Sequence, residues 1–215
     1  MKICCIGSND ELRLAVDAGA HALGLVSQMP SGPGVVDDVL IAELAAVTPP
    51  GVSRFLLTSR LDAAGIEEHV ARTGVDVVQI CDHVASGVLS EVRRNSRARV
   101  VAVVHAGAPG AVEYAQRAQQ HAHALLLDSG CPGAPFKELG GTGRTHDWDV
   151  SARIVRESAV PVWLAGGLNA SNVGEAIAHV KPFGVDLCTG VRTNGRLDPV
   201  KLEAFMGAVR EAGAR

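Results

Sequence analysis

The sequence predicts an α/β protein with the (β/α)8 or TIM-barrel fold, because eight short apolar segments alternate with eight helical ones along 215 residues. The apolar segments are nearly continuous, as parallel strands buried on both faces require. No Gly-x-Gly-x-x-Gly motif follows the first segment, which favours a closed barrel over an open sheet. The length suits one domain, and we expect residues 1–215 to form it.

The first βα unit illustrates the pattern. Residues 2–6 form a short apolar strand, and Ser8 or Asn9 can cap a helix that ends near Gly19. The other strands are predicted at 21–26, 52–57, 75–80, 99–104, 124–127, 160–165 and 184–187. The other helices are predicted at 38–47, 63–72, 85–95, 111–120, 149–157, 171–179 and 199–212.

Composition limits the classes of partner. Hydrophobic residues make up 47% and charged residues 20%, which is typical of a globular protein. The net charge of −3 and a pI near 6.2 provide no basic surface for nucleic acid or an anionic membrane, and aromatic residues are only 3%. A small ligand is therefore the expected partner.

The cysteines and the N-terminus indicate a compartment. Five cysteines are an odd number without metal-type spacing, which favours free thiols in a reducing compartment, and the histidines also lack such spacing. No apolar stretch reaches membrane length, and a strand that starts at Lys2 leaves no room for a signal peptide. We expect a cytoplasmic protein without a metal or another cofactor.

In a (β/α)8 barrel, the residues that follow the strands surround one site. These positions are polar or small: Cys4 and Cys5, Ser27 and Gln28, 58–60, 81–83, His105, Asp128, Gly166 and Gly167, and Thr189 and Gly190. Asp128 places a carboxylate directly after an apolar strand, where a barrel enzyme carries its acid. A helix cap or a turn is the alternative use of such an aspartate.

Two glycine-containing turns predict a phosphate site. Gly166 and Gly167 follow the seventh strand, and Thr189 and Gly190 follow the eighth. Small residues allow backbone N–H groups to close around an anion, and this fold commonly binds phosphate at these two turns. The alternative is that the glycines only form tight turns.

Several motifs together resemble the phosphoribosylanthranilate isomerase family, in the right order along nearly the whole chain. They are Lys2-Ile3-Cys4, Leu126-Leu127-Asp128, Gly140-Gly141-Thr142-Gly143 with Thr145 and Asp147-Trp148, Leu164-Ala165-Gly166-Gly167-Leu168, Gly184-Val185-Asp186, and Gly190-Val191.

The resemblance implies an Amadori rearrangement, in which a phosphoribosyl amine becomes a 1-deoxyribulose ketoamine. It implies that Asp128 is the general acid and Cys4 the general base, with Gly141, Thr142 and Gly143 also at the substrate or phosphate. The acid needs a raised pKa and the base a stabilised thiolate. Lys2 lies about two residues' rise from Cys4, roughly 6 to 7 Å, which argues against direct help. An inert buried thiol is the alternative for Cys4.

The aglycone side departs from the family. The loop after the second strand typically carries Ser-Pro-Arg, whose arginine holds the anthranilate carboxylate, whereas this chain has Gly34. Cys5 replaces the usual glycine, Arg192 replaces a frequent glutamate, and Cys81 stands where the family has histidine. We therefore expect anthranilate not to be the preferred amine unless another cation serves. Arg60 is the first candidate for that cation and Arg192 the second.

The sequence leaves three functional hypotheses. The first is the isomerase reaction on a small phosphorylated sugar-amine, and the second is a paralogue that isomerises a different phosphorylated sugar or amine. The third is a non-catalytic barrel that binds a phosphorylated ligand. Cys4 and Asp128 together favour an enzyme, because binding alone requires neither. A monomer and a homodimer are both compatible with the sequence.

Overall fold

The computed structural model describes residues 1–130 and 146–213. Eight parallel strands close into a barrel in chain order, and the eighth strand pairs with the first. The predicted (β/α)8 fold is therefore confirmed. The predicted substrate residues Gly141, Thr142 and Gly143 lie outside the described residues.

The secondary structure follows the predicted alternation closely. The barrel strands are β1 Lys2–Ile3, β2 Ala22–Val26, β3 Ser53–Thr58, β4 Val77–Ile80, β5 Arg99–His105, β6 Ala124–Asp128, β7 Val162–Leu164 and β8 Gly184–Leu187. The helices are α1 Asn9–Asp17, α2 Asp38–Val47, α3 Ala63–Thr73, α4 Ser86–Asn95, α5 Ala111–Ala118, α6 Trp148–Glu157, α7 Val173–Val180 and α8 Pro199–Gly213. A short 3₁₀ turn, Thr189–Val191, and a small hairpin of β9 Arg192–Thr193 and β10 Arg196–Leu197 follow β8. No helix in the described ranges has the length and apolarity needed to cross a membrane.

Side-chain caps explain where several helices begin. The Ser8 hydroxyl accepts a hydrogen bond from the Glu11 N–H, and Asp37 and Asp62 cap α2 and α3 in the same way. Each cap satisfies one of the free N–H groups of the first helical turn. Of the two predicted caps, Ser8 and Asn9, the structure therefore has Ser8.

The core has two layers that follow from strand alternation. Residues on one face of each strand, such as Ile3 and Leu125, pack against the surrounding helices. Residues on the other face, such as Phe55 and Leu126, fill the barrel interior. The interior also contains a charged residue, because the Lys2 side chain is fully buried.

The seam between β8 and β1 closes the barrel. The structure pairs only Lys2 with Asp186 and Ile3 with Leu187 across it. Side-chain contacts supplement this short ladder, because Lys2 Nζ lies 2.8 Å from Asp186 Oδ2. Above the seam, the Arg192 guanidinium donates to the carbonyl oxygens of Cys4 and Cys5.

A disulfide between Cys5 and Cys188 ties the end of β1 to the end of β8, with 5.9 Å between their Cα atoms. The expectation that all cysteines are free is therefore wrong for this pair. Cys4 and Cys81 are the free cysteines among the described residues. Cysteine spacing missed the pair because the partners are 183 residues apart and meet only when the barrel closes.

We predict that reduction of this disulfide lowers the free energy of unfolding by about 2–5 kcal/mol, because it releases a very long loop in the unfolded chain. Denaturant unfolding with and without a thiol reductant measures the change. Cys188→Ser should have the stability of the reduced protein and should not respond to reductant. Equal stability of the oxidised protein, the reduced protein and the variant would contradict this role.

Candidate active site

A pocket opens at the C-terminal end of the barrel. Besides the disulfide cysteines, its lining includes seven polar residues: Cys4, Ser31, Gln79, Cys81, Asp128, Asp186 and Thr189. The pocket therefore lies where the barrel fold was expected to place chemistry.

Asp128 ends β6 and faces the pocket. Its Oδ1 accepts a hydrogen bond of 2.7 Å from the Ser129 N–H. Burial raises the pKa of the Asp128 carboxyl to about 6, and the hydrogen bond from Ser129 is the largest opposing effect. A carboxyl with this pKa can hold and release a proton close to neutral pH.

Cys4 follows β1, is buried and lines the same pocket. Burial raises the pKa of the Cys4 thiol to about 11, and the positive charge of Lys2 is the largest opposing effect. Lys2 therefore acts on Cys4 through its charge, an effect that the strand spacing led us to discount. Gly24 on the neighbouring strand makes room for the thiol, since a Cβ there would lie 2.6 Å from Cys4 Sγ.

Lys2 lies beneath the thiol in a small polar cluster. Its Nζ donates to Asp186 Oδ2 at 2.8 Å and to Gln79 Oε1 at 3.0 Å. Burial alone would lower the pKa of Lys2, but the Asp186 carboxylate, together with the nearby Cys4 and Cys81 sulfurs, raises the pKa overall. Lys2 is thus a fixed positive charge, and its two partners, Asp186 and Gln79, both line the pocket.

The two glycine-containing turns lie in direct contact. Gly166 and Gly167 adopt positive φ angles of 87° and 63°, which favour glycine. At Gly190 a side chain would collide with the carbonyl oxygen of Leu168. The turns after β7 and β8 therefore pack backbone to backbone, with Gly166, Gly167 and Thr189 on the pocket lining and Gly190 behind it.

The two predicted arginines lie elsewhere. Arg60 lines a separate surface pocket beside Asp38 and His69. Arg192 is held by the Glu11 carboxylate at 2.8 Å and by backbone carbonyls at the end of β1. No lysine or arginine of the described ranges lines the pocket that contains Asp128.

Gly34, at the position where the resemblance implies an arginine, packs against Cys5, where it implies a glycine. A Cβ at Gly34 would overlap Cys5 Cβ and lie 3.0 Å from Cys5 Cα. Cys5 itself has a φ of 65°, a conformation that favours glycine. The two departures therefore occupy a common space, and the Cys5 side chain explains why position 34 carries none.

Several pocket residues were missed because they lie along the strands and not after them. Asp186 and Gln79 point into the barrel two positions before the strand-end residues Cys188 and Cys81. Strand alternation identifies such residues once the inward face is known. Among the described residues, no group of three or more His, Cys, Asp or Glu side chains is arranged to hold a metal.

Fold and pocket together define the class of the protein as a (β/α)8-barrel enzyme with a carboxyl and a thiol in one site. A family model for N-(5'-phosphoribosyl)anthranilate (PRA) isomerase matches residues 1–208, and the chain belongs to this family.

Named relatives agree with the family match. The N-(5'-phosphoribosyl)anthranilate isomerase of Methanothrix thermoacetophila is 36% identical over 213 residues, which cover 98% of this chain and 97% of the relative. The solved phosphoribosyl anthranilate isomerase of Thermococcus kodakaraensis is 32% identical, with a TM-score of 0.77 and 97% of each chain covered. A further phosphoribosyl anthranilate isomerase structure, in complex with reduced 1-(o-carboxyphenylamino)-1-deoxyribulose 5-phosphate, shares the fold at 23% identity, with a TM-score of 0.80 over 98% and 97% of the two chains.

We predict that Gly34→Ala destabilises the protein more than Gly51→Ala does. Both glycines have positive φ, 75° and 91°, but only Gly34 faces a neighbouring side chain, and nothing lies within 4 Å of a Cβ at Gly51. Backbone strain should cost each variant about 1–2 kcal/mol, and overlap with Cys5 should add about 1–3 kcal/mol to Gly34→Ala. Denaturant unfolding measures both, and equal losses would show that Cys5 does not constrain position 34.

Proposed function

We propose that this chain catalyses the Amadori rearrangement of N-(5'-phosphoribosyl)anthranilate to 1-(o-carboxyphenylamino)-1-deoxyribulose 5-phosphate, as in tryptophan biosynthesis. The observation that carries the proposal is the presence of Asp128 and Cys4 in one pocket beside the turns after β7 and β8. The reaction needs an acid and a base, and the family match supports the same chemistry.

In the proposed mechanism, Asp128 donates its proton to the ring oxygen of the sugar. The C1–O bond breaks, and the amine nitrogen forms a Schiff base with C1. The Cys4 thiolate then removes the proton from C2. The electron pair of the broken C2–H bond forms a C1=C2 double bond and neutralises the iminium, which gives an enolamine. The C2 hydroxyl proton then passes to Asp128, and C1 takes up the proton held by Cys4. This gives the ketoamine and restores both side chains, so that no atom or electron is gained or lost.

The raised pKa of about 6 supports Asp128 as the acid, because an ordinary aspartate would hold a proton only under more acidic conditions. The positive charge of Lys2 supports Cys4 as the base, because it favours the thiolate against burial. If Cys4 were only an inert buried thiol, its position in the pocket lining beside the charge of Lys2 would have no explanation.

The phosphate is proposed to bind at the backbone of Gly166, Gly167, Thr189 and Gly190. Close packing of the two turns supports the proposal, because small residues from two loops meet at one edge of the pocket, where an anion can approach the backbone. Gly141, Thr142 and Gly143 are proposed to contribute from the loop between β6 and α6, on the resemblance alone.

The next part of the proposal concerns the amine and its carboxylate. The family match supports anthranilate, whereas no described lysine or arginine lines the pocket to meet its carboxylate. The roles of Arg60 and Arg192 as partners of that carboxylate therefore stay predictions. The preference for an amine other than anthranilate also stays a prediction. The rate ratio for phosphoribosyl amines of anthranilate and aniline tests that preference, because aniline lacks the carboxylate.

The remaining parts of the proposal come from the sequence. We propose a single-domain, cofactor-free enzyme that acts on a small phosphorylated sugar-amine in the cytoplasm, as a monomer or a homodimer. A dimeric phosphoribosylanthranilate isomerase occurs among proteins of this fold, in Thermotoga maritima. Fractionation of cells and light scattering of the purified protein test the compartment and the oligomeric state.

We predict that Asp128→Asn and Cys4→Ala each lower kcat for phosphoribosylanthranilate by about 100-fold or more, because each removes a proton-transfer group. Binding of a product analogue should change little. An anthranilate fluorescence assay measures turnover. Near wild-type turnover by either variant would eliminate the role assigned to that residue.

Two controls separate lost chemistry from lost folding. Cys81→Ala removes another buried cysteine of the same pocket and should lower kcat far less than Cys4→Ala. Asp128→Asn should be at least as stable as wild type at pH 8, because the folded-state pKa of about 6 exceeds the unfolded value and ionised Asp128 therefore costs stability above that pH.

A further inference from the structure

The proposed mechanism uses Asp128 and Cys4 but leaves a second buried carboxylate of the pocket without a task. Asp186 lies on β8, and its side chain is only 7% exposed. Its Oδ2 accepts a hydrogen bond from Lys2, whereas Oδ1 is buried and has no hydrogen-bond partner among the described residues. A buried carboxylate oxygen without a donor is unfavourable, so a ligand that supplied a donor would gain binding energy there.

The orientation of Asp186 is fixed by its neighbours. Lys2 lies directly across the β1–β8 seam, and its ammonium group holds Oδ2 at 2.8 Å. The same ammonium group is anchored to Gln79 Oε1 at 3.0 Å. Because two strands fix the ammonium, the carboxylate cannot turn Oδ1 toward Lys2 without giving up its existing bond. Oδ1 therefore stays without a donor, in a residue that lines the pocket.

Asp186 lies between the base Cys4 and the turn proposed to bind the phosphate. It is two residues before Cys188, which leads into the turn proposed for the phosphate on C5 of the sugar. It is also on the strand next to β1, whose following residue Cys4 acts at C2. A sugar chain that extends from Cys4 to this turn passes Asp186 with its C2 and C3 hydroxyl groups.

We propose that Asp186 Oδ1 accepts a hydrogen bond from the C2 or C3 hydroxyl of the phosphoribosyl chain, which makes Asp186 a substrate-binding residue that selects a hydroxylated sugar. An ionised carboxylate can only accept hydrogen bonds, and a sugar hydroxyl is the donor in this part of the substrate. The inference rests on the proposed function for the identity of the sugar. Lys2 then has two tasks, to orient this acceptor and to favour the Cys4 thiolate.

Calorimetric binding of two unreactive probes tests the proposal. Ribose 5-phosphate carries both hydroxyls, and 2,3-dideoxyribose 5-phosphate carries neither. Wild type should bind the ribose compound about 10- to 100-fold more tightly, as expected for a hydrogen bond to a charged, desolvated acceptor. In Asp186→Ala this preference should fall to about threefold or less, with little change in affinity for the dideoxy compound.

A second variant covers the case in which Asp186→Ala does not fold because Lys2 loses its partner. Lys2→Met/Asp186→Leu removes both charges and keeps side-chain volume, and it should also lose the preference. Asp76→Asn is the matched control, because Asp76 pairs with Arg54 at the other end of the barrel. It should keep the wild-type preference.

The proposal is overturned if wild type binds the two probes equally, or if either Asp186 variant keeps the wild-type preference. These outcomes concern Asp186 alone. The proposed function is tested separately, by the turnover of the Cys4→Ala and Asp128→Asn variants. A wild-type protein that bound neither probe would contradict phosphosugar recognition itself and, with it, the role of Asp186.

Discussion

The buried ammonium group of Lys2 is the constraint on which the interior of this barrel depends. A charge that has left water must be neutralised nearby, and Asp186 and Gln79 do this from two other strands. The Phe55 ring, with its centroid 5.2 Å from Nζ, adds a further favourable contact. One ion pair therefore joins β1, the shortest strand of the barrel, to β8, the strand that closes it. The same pair sets the orientation of the Asp186 carboxylate.

The same ion pair governs the proton chemistry of the pocket. Burial raises the pKa values of both Asp128 and Cys4, Lys2 opposes this effect for both, and Asp186 reinforces it. The acid benefits from burial because it must be protonated to act, whereas the base is weakened because it must be ionised. Burial thus makes Asp128 a proton donor close to neutral pH and leaves Cys4 dependent on one neighbouring cation.

The sequence predicted those parts of the molecule that depend on local patterns. The alternation of apolar and helical segments located all eight βα units, and the motifs around Cys4, Asp128, Gly166 and Gly190 indicated the family, which the family match confirms. The roles of individual residues at the site stay predictions.

The sequence did not predict the contacts made across the closed barrel. The Cys5–Cys188 disulfide and the Lys2–Asp186 pair join residues that lie more than 180 positions apart. Their contact depends on the register in which β8 meets β1, and no local pattern encodes that register. The packing of Gly34 against Cys5 is similar, since two separate departures from the family pattern acquire one explanation only in three dimensions.

The pH dependence of kcat/KM tests the central claim, that a protonated Asp128 and an ionised Cys4 act together although burial raises the pKa of each. With pKa values of about 6 and about 11, each rise of one pH unit between them gives about tenfold more thiolate and about tenfold less carboxylic acid. The product is constant, so kcat/KM should stay level within about threefold from about pH 7 to about pH 10, where the substrate phosphate is fully ionised. A fall of about tenfold per unit that begins near pH 8.5, the ordinary pKa of cysteine, would show that the thiol is not raised and would contradict the account.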